Sequence, residues 1–239
     1  MRVSTGREMA QIDAAVIASG VLSIDLMERA GEAMAEAVLD FLQENGADHD
    51  HGEGHVHGPG CGHAGHGDEP GAEAVVGVLV ICGKGNNGGD GLVVARLLAE
   101  ADCPASVMLL AKPSELSPDA QTNFELLPPE VTVFVPLPED WAEAFIELAD
   151  SADMVVDAIL GTGLTPPLHG AYIDLIRNIN DAGIPCLALD IPSGVSSDTG
   201  QVDPVAVAAD TTVTVGLPKR GLLLAPGRDF AGDIEVADI

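Results

Sequence analysis

The chain has little positive charge: its 239 residues include only 10 lysines and arginines against 38 acidic residues. The net charge of −28 repels nucleic-acid phosphates and anionic lipid, so we expect neither a nucleic acid nor a membrane as partner. Acidic, lysine-poor surfaces are also typical of proteins adapted to high salt, which screens the repulsion between like charges. An ordinary acidic cytosolic protein is the alternative interpretation.

Long apolar runs and a cysteine framework are also lacking. Charged residues interrupt the first twenty positions, which excludes a signal peptide there. No segment approaches the ~18 apolar residues of a membrane span. The four cysteines lie on unrelated segments without CxxC spacing, which indicates free, reduced thiols. We therefore expect a cytoplasmic protein.

Short apolar segments alternate with helical ones along most of the chain. A hydrophobic content of 46% is enough for one large domain over residues 1–239. The alternation predicts a Rossmann-like three-layer αβα sandwich with a mainly parallel sheet, an α/β fold. The predicted strands are 74–81, 105–110, 131–135, 153–159, 184–190 and 211–215, and the predicted helices between them are 90–102, 117–127, 140–150 and 170–182.

A further helix is predicted ahead of the first strand. Ser23 is its expected N-cap, and apolar residues follow at helical spacing. We expect this helix to pack across the sheet or onto a partner subunit, as in a homodimer. The residues of its apolar face are Leu26, Ala30, Met34, Ala37 and Phe41.

Residues 49–67 interrupt this order with a tract rich in glycine that holds six of the seven histidines. Such a composition cannot form a packed core, so we interpret it as a linker or surface loop. Dense imidazoles bind zinc, nickel or copper regardless of purpose. A tolerated insertion with adventitious metal binding is the favoured interpretation over a selected metal site, although metal storage could coexist with another function.

The segment Gly83–Gly88 matches GxGxxG, follows a predicted strand and opens a helix. Backbone N–H groups in such a turn can hold a phosphate, which predicts a dinucleotide or other phosphate-bearing ligand. A tight turn that merely needs glycine is the alternative. Dehydrogenases of this kind carry an acidic residue after the second strand. Ala111 and Lys112 stand there, which argues against an ordinary dehydrogenase.

Three aspartates occur at the predicted carboxyl ends of strands, where open parallel sheets bind ligands. Asp90 lies in the glycine loop, Asp157 begins "DAILGTGLTPP" and Asp190 begins "DIPSG". Carboxylates gathered in one crevice can bind a cation, orient ribose hydroxyls or transfer protons. Each aspartate alone could equally be a cap or a turn former. Their expected proximity favours a functional site.

These stretches, read together, resemble the YjeF N-terminal domain family of NAD(P)H-hydrate epimerases. The resemblance is carried by "LMERAGEAM", "GKGNNGGDGLVVAR", "VVDAILGTGL", "ALDIPSG" followed by "DTGQV", and "ADTTVTVGLPKRGLL". It implies epimerisation of the R and S hydrates of NADH and NADPH, with the dinucleotide as substrate rather than as hydride carrier. It also implies a functional partner, an ADP- or ATP-dependent dehydratase that is often fused at the carboxyl terminus.

The resemblance implies specific site residues as well. Potassium would be bound by Asn87, Asp157 and Ser193, whose oxygens suit a hard cation. Asp190 would face the hydrated nicotinamide as the catalytic residue, with Lys219 and Asp90 as alternatives. Substrate contacts are implied for Asn86, Asn87, Gly88, Gly89, Asp90, Gly161, Thr162, Gly163, Leu164, Thr165, Pro166, Pro167 and Asp190.

Two features leave alternatives open. Family loops after "GTGL" often carry a basic residue where this chain has Thr165, Pro166 and Pro167. Domains of this type also serve as non-catalytic binding or scaffold modules. The intact polar positions favour the enzyme, because a scaffold does not need a polar crevice.

Overall fold

A computed structural model describes residues 2–46, 77–164, 167–237 and 239. Its seven strands form one sheet in the order β3-β2-β1-β4-β5-β6-β7, and every neighbouring pair is parallel. The predicted α/β fold is confirmed, and among the described residues the sheet is entirely parallel. The strands are β1 (Val78–Cys82), β2 (Ala105–Leu109), β3 (Thr132–Phe134), β4 (Met154–Ala158), β5 (Cys186–Leu189), β6 (Thr211–Val215) and β7 (Asp233–Ala237).

Helices cover both faces of the sheet. The first apolar layer joins one face of the sheet to α2, α3 and α4, and the second joins the other face to α5 and α6. β1 illustrates the division, since Val80 packs in the first layer and Ile81 in the second. The helices are α1 (Gly6–Ala18), α2 (Ser23–Gly46), α3 (Asn86–Glu100), α4 (Pro118–Glu125), α5 (Trp141–Ala149) and α6 (Ala171–Asp181).

The helix predicted after Ser23 is α2, and it begins at that residue. The Leu26 amide bonds to the Leu22 carbonyl at 3.2 Å, so the first helical bond starts one residue before the predicted cap. Its predicted apolar face packs on the first layer and on α3, where a Cβ on Gly31 would lie 2.5 Å from Val93 Cβ. Within this chain, the face is therefore covered by α3 and the sheet.

The sequence patterns did not predict α1 and β7. α1 begins with a capping box, in which Thr5 Oγ1 accepts from the Glu8 amide at 3.2 Å and Glu8 Oε2 accepts from the Thr5 amide at 2.8 Å. It buries none of its residues, so it lacks the apolar stripe that marks a core helix. β7 is an edge strand with exposed residues at Asp233 and Glu235. It therefore lacks the continuous apolar sequence that marks the inner strands.

The described ranges contain no helix that is both apolar enough and long enough to cross a bilayer. The histidine-rich tract 49–67, its metal-binding prediction, and residues 74–76 of the first predicted strand lie outside the described residues.

Candidate active site

A cleft of about 670 Å³ opens beyond the carboxyl ends of the central strands. It lies where the strand order reverses, since the chain leaves β1 toward β2 and β3 but continues from β4 in the other direction. Open α/β sheets bind their ligands at this switch point. The loops after β1, β4 and β5 line the cleft, and α1 and α2 complete it.

Two glycines allow the loop after β1 to pack against its surroundings. A Cβ on Gly83 would collide with the Ile159 carbonyl oxygen, and a Cβ on Gly88 would collide with the Gly83 carbonyl oxygen. The Gly83 amide also donates to the Ala158 carbonyl at 3.0 Å. Gly83 is thus required by the close approach of this loop to the loop after β4, and Gly88 by the tight turn of the loop onto itself.

The first turn of α3 faces this cleft. Gly85 is the N-cap and supplies no side-chain hydrogen bond, so the first N–H groups of the helix are not capped by a side chain. Asn86 Oδ1 accepts from Ser117 Oγ at 2.9 Å, and the exposed Lys84 adds a positive charge beside the turn. Free N–H groups and the positive end of a helix dipole can bind a phosphate.

A buried polar cluster lies beneath the cleft. Asp157 Oδ1 accepts from Ser193 Oγ at 2.6 Å and from the Ile159 amide at 3.1 Å, while Oδ2 accepts from the Ser193 amide at 2.7 Å. Burial raises the pKa of Asp157 to about 6, against the opposing effect of these hydrogen bonds. The structure therefore brings together two of the three residues that the resemblance implied for potassium.

Asn87, the third of these residues, has unusual surroundings. It is buried, and neither its amide nitrogen nor its amide oxygen has a hydrogen-bond partner among the described residues. Its oxygen would lie 3.3 Å from a Cβ on Gly161, in the loop after β4. A buried amide without a partner costs about 1–3 kcal/mol. An oxygen-seeking ligand at this position would remove that cost.

Asp190 follows β5 and has a positive φ of 67°, a strained conformation for a residue with a Cβ. Its carboxylate forms an ion pair with the Lys219 ammonium and lies 3.4 Å from the hydroxyl of Thr214. The side chain is therefore directed at the end of β6 and not at the backbone of the turn that it opens. This geometry argues against the interpretation of Asp190 as a simple turn cap.

Lys219 was only an alternative in the sequence analysis, and the structure gives it a central position. The residue is 1% exposed, and its ammonium donates to the Val215 carbonyl at 2.9 Å and to Thr214 Oγ1 at 3.1 Å. Lysine is almost never fully buried unless its charge is paired. The short segment "LPKRG" gave no local signal for this, because the partner Asp190 is distant in the sequence.

Two further carboxylates share this environment. The pKa of Asp90 is well above its ordinary value because of burial, and the negative charge of Asp190 acts in the same direction. Burial also raises the pKa of Asp13, a residue of α1 that sequence reasoning missed. Both line the cleft with Asp190 and Lys219, so three carboxyl groups and one ammonium share this cleft.

The predicted substrate residues divide into three groups. Gly88 and Gly89 lie inside the first turn of α3, where they pack against Gly83 and Met27, and the exposed Pro167 is not part of the cleft wall. Thr165 and Pro166 lie outside the described residues. The residues that line the cleft are Asn86, Asn87, Asp90, Gly161, Thr162, Gly163, Leu164 and Asp190.

Comparison with known proteins places this architecture among relatives. Residues 23–221 match the family model described as YjeF-related protein N-terminus. The chain is 35% identical to an NAD(P)H-hydrate epimerase of Limosilactobacillus fermentum, over 92% of this chain and 87% of that protein. A yeast protein solved by crystallography superposes with a TM-score of 0.71 at 25% identity, covering 92% of this chain and 83% of that one.

Other relatives are longer. The chain is 45% identical to the bifunctional NAD(P)H-hydrate repair enzyme Nnr of Thermofilum pendens, over 67% of this chain but only 30% of that protein. The corresponding enzyme of Moorella thermoacetica is 36% identical over the whole chain, which spans 40% of it. The similarity to these bifunctional relatives is therefore confined to one part of each.

Proposed function

This chain belongs to the family of YjeF-related protein N-terminal domains, and we propose that it interconverts the R and S forms of hydrated NADH and NADPH. The observation that carries the proposal is one cleft that combines the uncapped amino terminus of α3 with the Asp190–Lys219 pair. The first suits the pyrophosphate of a dinucleotide, and the second suits proton transfer at its other end. Relatives that this chain nearly matches in length are named NAD(P)H-hydrate epimerase.

The chemistry follows from the structure of the hydrate. Its hydroxyl is on a carbon bonded to the ring nitrogen, so the stereocentre inverts when hydroxide leaves and water returns from the other face. Opening of the ring to an aldehyde is the other route. Either route needs an acid and a base near the nicotinamide. The Asp190 carboxylate is the proposed base, and its charge also stabilises the cationic intermediate.

Lys219 is assigned a positioning role in this scheme. It holds the Asp190 carboxylate by an ion pair, while Thr214 and Val215 hold the ammonium in turn. A fixed carboxylate reduces the reorganisation needed at the moment of proton transfer. The phosphates are proposed to lie at the α3 terminus, with Asn86, Asn87 and Asp90 on one side and the loop Gly161–Leu164 on the other.

Potassium is proposed as a bound ion held by Asn87, Asp157 and Ser193. The unpartnered Asn87 amide supports this, because its buried oxygen has no other ligand among the described residues. Asp157 Oδ2 accepts a single hydrogen bond and retains a lone pair. A bound cation would offset the buried negative charge of Asp157 and fix the loops that line the cleft. Among the described residues, no three or more histidine, cysteine, aspartate or glutamate side chains form a group that could hold a metal ion. A hard monovalent cation does not need such a group, because amide and hydroxyl oxygens can serve as its ligands.

The proposed partner is the dehydratase that consumes one epimer, consistent with relatives named as bifunctional repair enzymes.

We also propose a cytoplasmic location. Cys82, Cys103 and Cys186 are free thiols, as expected in a reducing compartment.

The proposal is tested by adding purified protein to one resolved epimer of hydrated NADH and following the other by chiral chromatography. An acceleration well above spontaneous epimerisation is expected. If a large excess of protein over trace substrate gave only the spontaneous rate, the domain would be a non-catalytic binding module instead. If the protein gave only the spontaneous rate but still bound the dinucleotide, it would be a scaffold that retains the binding cleft.

A further inference from the structure

Helix α1 supplies one wall of the cleft although it precedes the family match at residues 23–221. The residues that it contributes, Met9, Ala10, Asp13 and Ile17, follow helical spacing and therefore form one face. Asp13 is the only charged residue on that face. It is partly buried, so the cleft removes it from much of its water.

The start of α1 is fixed beside Lys219 by main-chain bonds. The Ser4 amide donates to the Pro218 carbonyl at 2.9 Å, and the Arg220 amide donates to the Ser4 carbonyl at 2.8 Å. The Gly6 amide donates to Asp198 Oδ1 at 2.7 Å. Since α1 buries none of its own residues, these bonds to Pro218, Arg220 and Asp198 position it.

Inversion by loss and return of the hydroxyl requires proton transfer on both faces of the reacting carbon, because the leaving oxygen gains a proton on one face and the attacking water loses one on the other. Asp190 and Lys219 come from the strand ends, whereas Asp13 comes from α1, which forms another wall of the same cleft. We propose that Asp13 is the second acid–base group of the epimerisation and contacts the hydrate's hydroxyl from the α1 side. This inference rests on the proposed function and adds to it a catalytic residue outside the matched family segment.

The proposed step balances without an oxidant or reductant. The Asp13 carboxylic acid gives its proton to the hydroxyl as the C–O bond breaks, which releases water and leaves the ring cationic. A water molecule then adds to the opposite face as the Asp190 carboxylate takes its proton. Solvent returns that proton to Asp13, and the reverse reaction exchanges the two roles.

Burial, more than the neighbouring charges, favours the acid form of Asp13. Burial and the negative charge of Asp190 raise its pKa, while the Lys219 ammonium opposes them. Asp90 is the remaining titratable group in this set, and a negative charge on Asp13 raises its pKa. A raised pKa keeps the Asp13 proton to higher pH, so the acid form is lost only as pH rises through that value.

Asp13→Asn tests the proposal, because it keeps the shape of the side chain and removes the transferable proton. We expect kcat to fall at least ~10²-fold, with KM changed only a few-fold, since proton transfer contributes ~10²–10⁴-fold. The alkaline limb of the parent's pH–rate profile should also disappear. Asp13→Glu, which restores a carboxyl group, should recover part of the rate. Glu36→Gln is the matched control, because it removes one exposed negative charge in the middle of α2.

The inference would be overturned if the parent enzyme is active and Asp13→Asn keeps a rate within three-fold of it, with an unchanged pH–rate profile. A parent that does not accelerate epimerisation would instead overturn the proposed function. If the variant failed to fold, titration of the Asp13 carboxyl by ¹³C NMR in the parent decides the matter. A pKa above the ordinary ~3.9 is expected, and a value at or below it would contradict an acid role.

Discussion

At the scale of single residues, the site depends on polar groups whose partners are distant in sequence. Asp157 and Asp190 were predictable because each lies at the carboxyl end of a buried apolar strand, at the edge where parallel strands end. The pairing of Asp190 with Lys219 was not, because 29 positions separate them and the contact requires β5 and β6 to be neighbours. Asp13 carries even less signal, since one aspartate on an exposed helix resembles any solvated residue.

Asp157→Ala tests the cluster beneath the cleft. Removing the carboxylate leaves the buried donors of Ser193 and Ile159 without their acceptor. Each unpaired buried donor costs about 1–3 kcal/mol, so we expect the free energy of unfolding to fall by at least about 2 kcal/mol. Urea unfolding in KCl and in LiCl of equal ionic strength measures the free energy of unfolding and its dependence on potassium. The parent should gain stability from potassium over lithium and the variant should not. An equal gain in both proteins would show that the ligands are misassigned.

At the scale of elements, the alternation of buried strands and amphipathic helices determined most of what the sequence could predict. The continuous apolar strands and the helices between them were found within a few residues of their observed bounds. β7 escaped because an edge strand with exposed alternate residues is not continuously apolar. α1 escaped because main-chain bonds, and not an apolar stripe, hold it in place.

The turn between β1 and α3 gives a prediction at this scale. Gly88→Ala forces a Cβ against the Gly83 carbonyl, whereas a Cβ on Gly85 meets nothing within 4 Å. Overpacking of this kind costs about 1–3 kcal/mol. We expect Gly88→Ala to lower the thermal midpoint by several degrees and Gly85→Ala to change it far less. Calorimetry of both variants checks this, and equal midpoints would mean that the turn is looser than its contacts indicate.

At the scale of the whole molecule, charge and topology act in opposite directions on the proposed substrate, which is anionic. The net charge of −28 repels a dinucleotide at long range. The order of the strands compensates locally, because the switch point places the α3 terminus and Lys84 at the same cleft. Composition alone could not reveal this compensation, since it depends on how the sheet gathers a few residues.

The most direct measurement is the epimerisation rate of Asp190→Asn beside the parent, with dinucleotide affinity measured on both. The change keeps the shape of the side chain but removes its charge and proton transfer, so we predict a protein that folds, binds the dinucleotide and loses at least ~10²-fold in rate. A rate within a few-fold of the parent would contradict the account, because the proton transfer would then belong to groups other than Asp190.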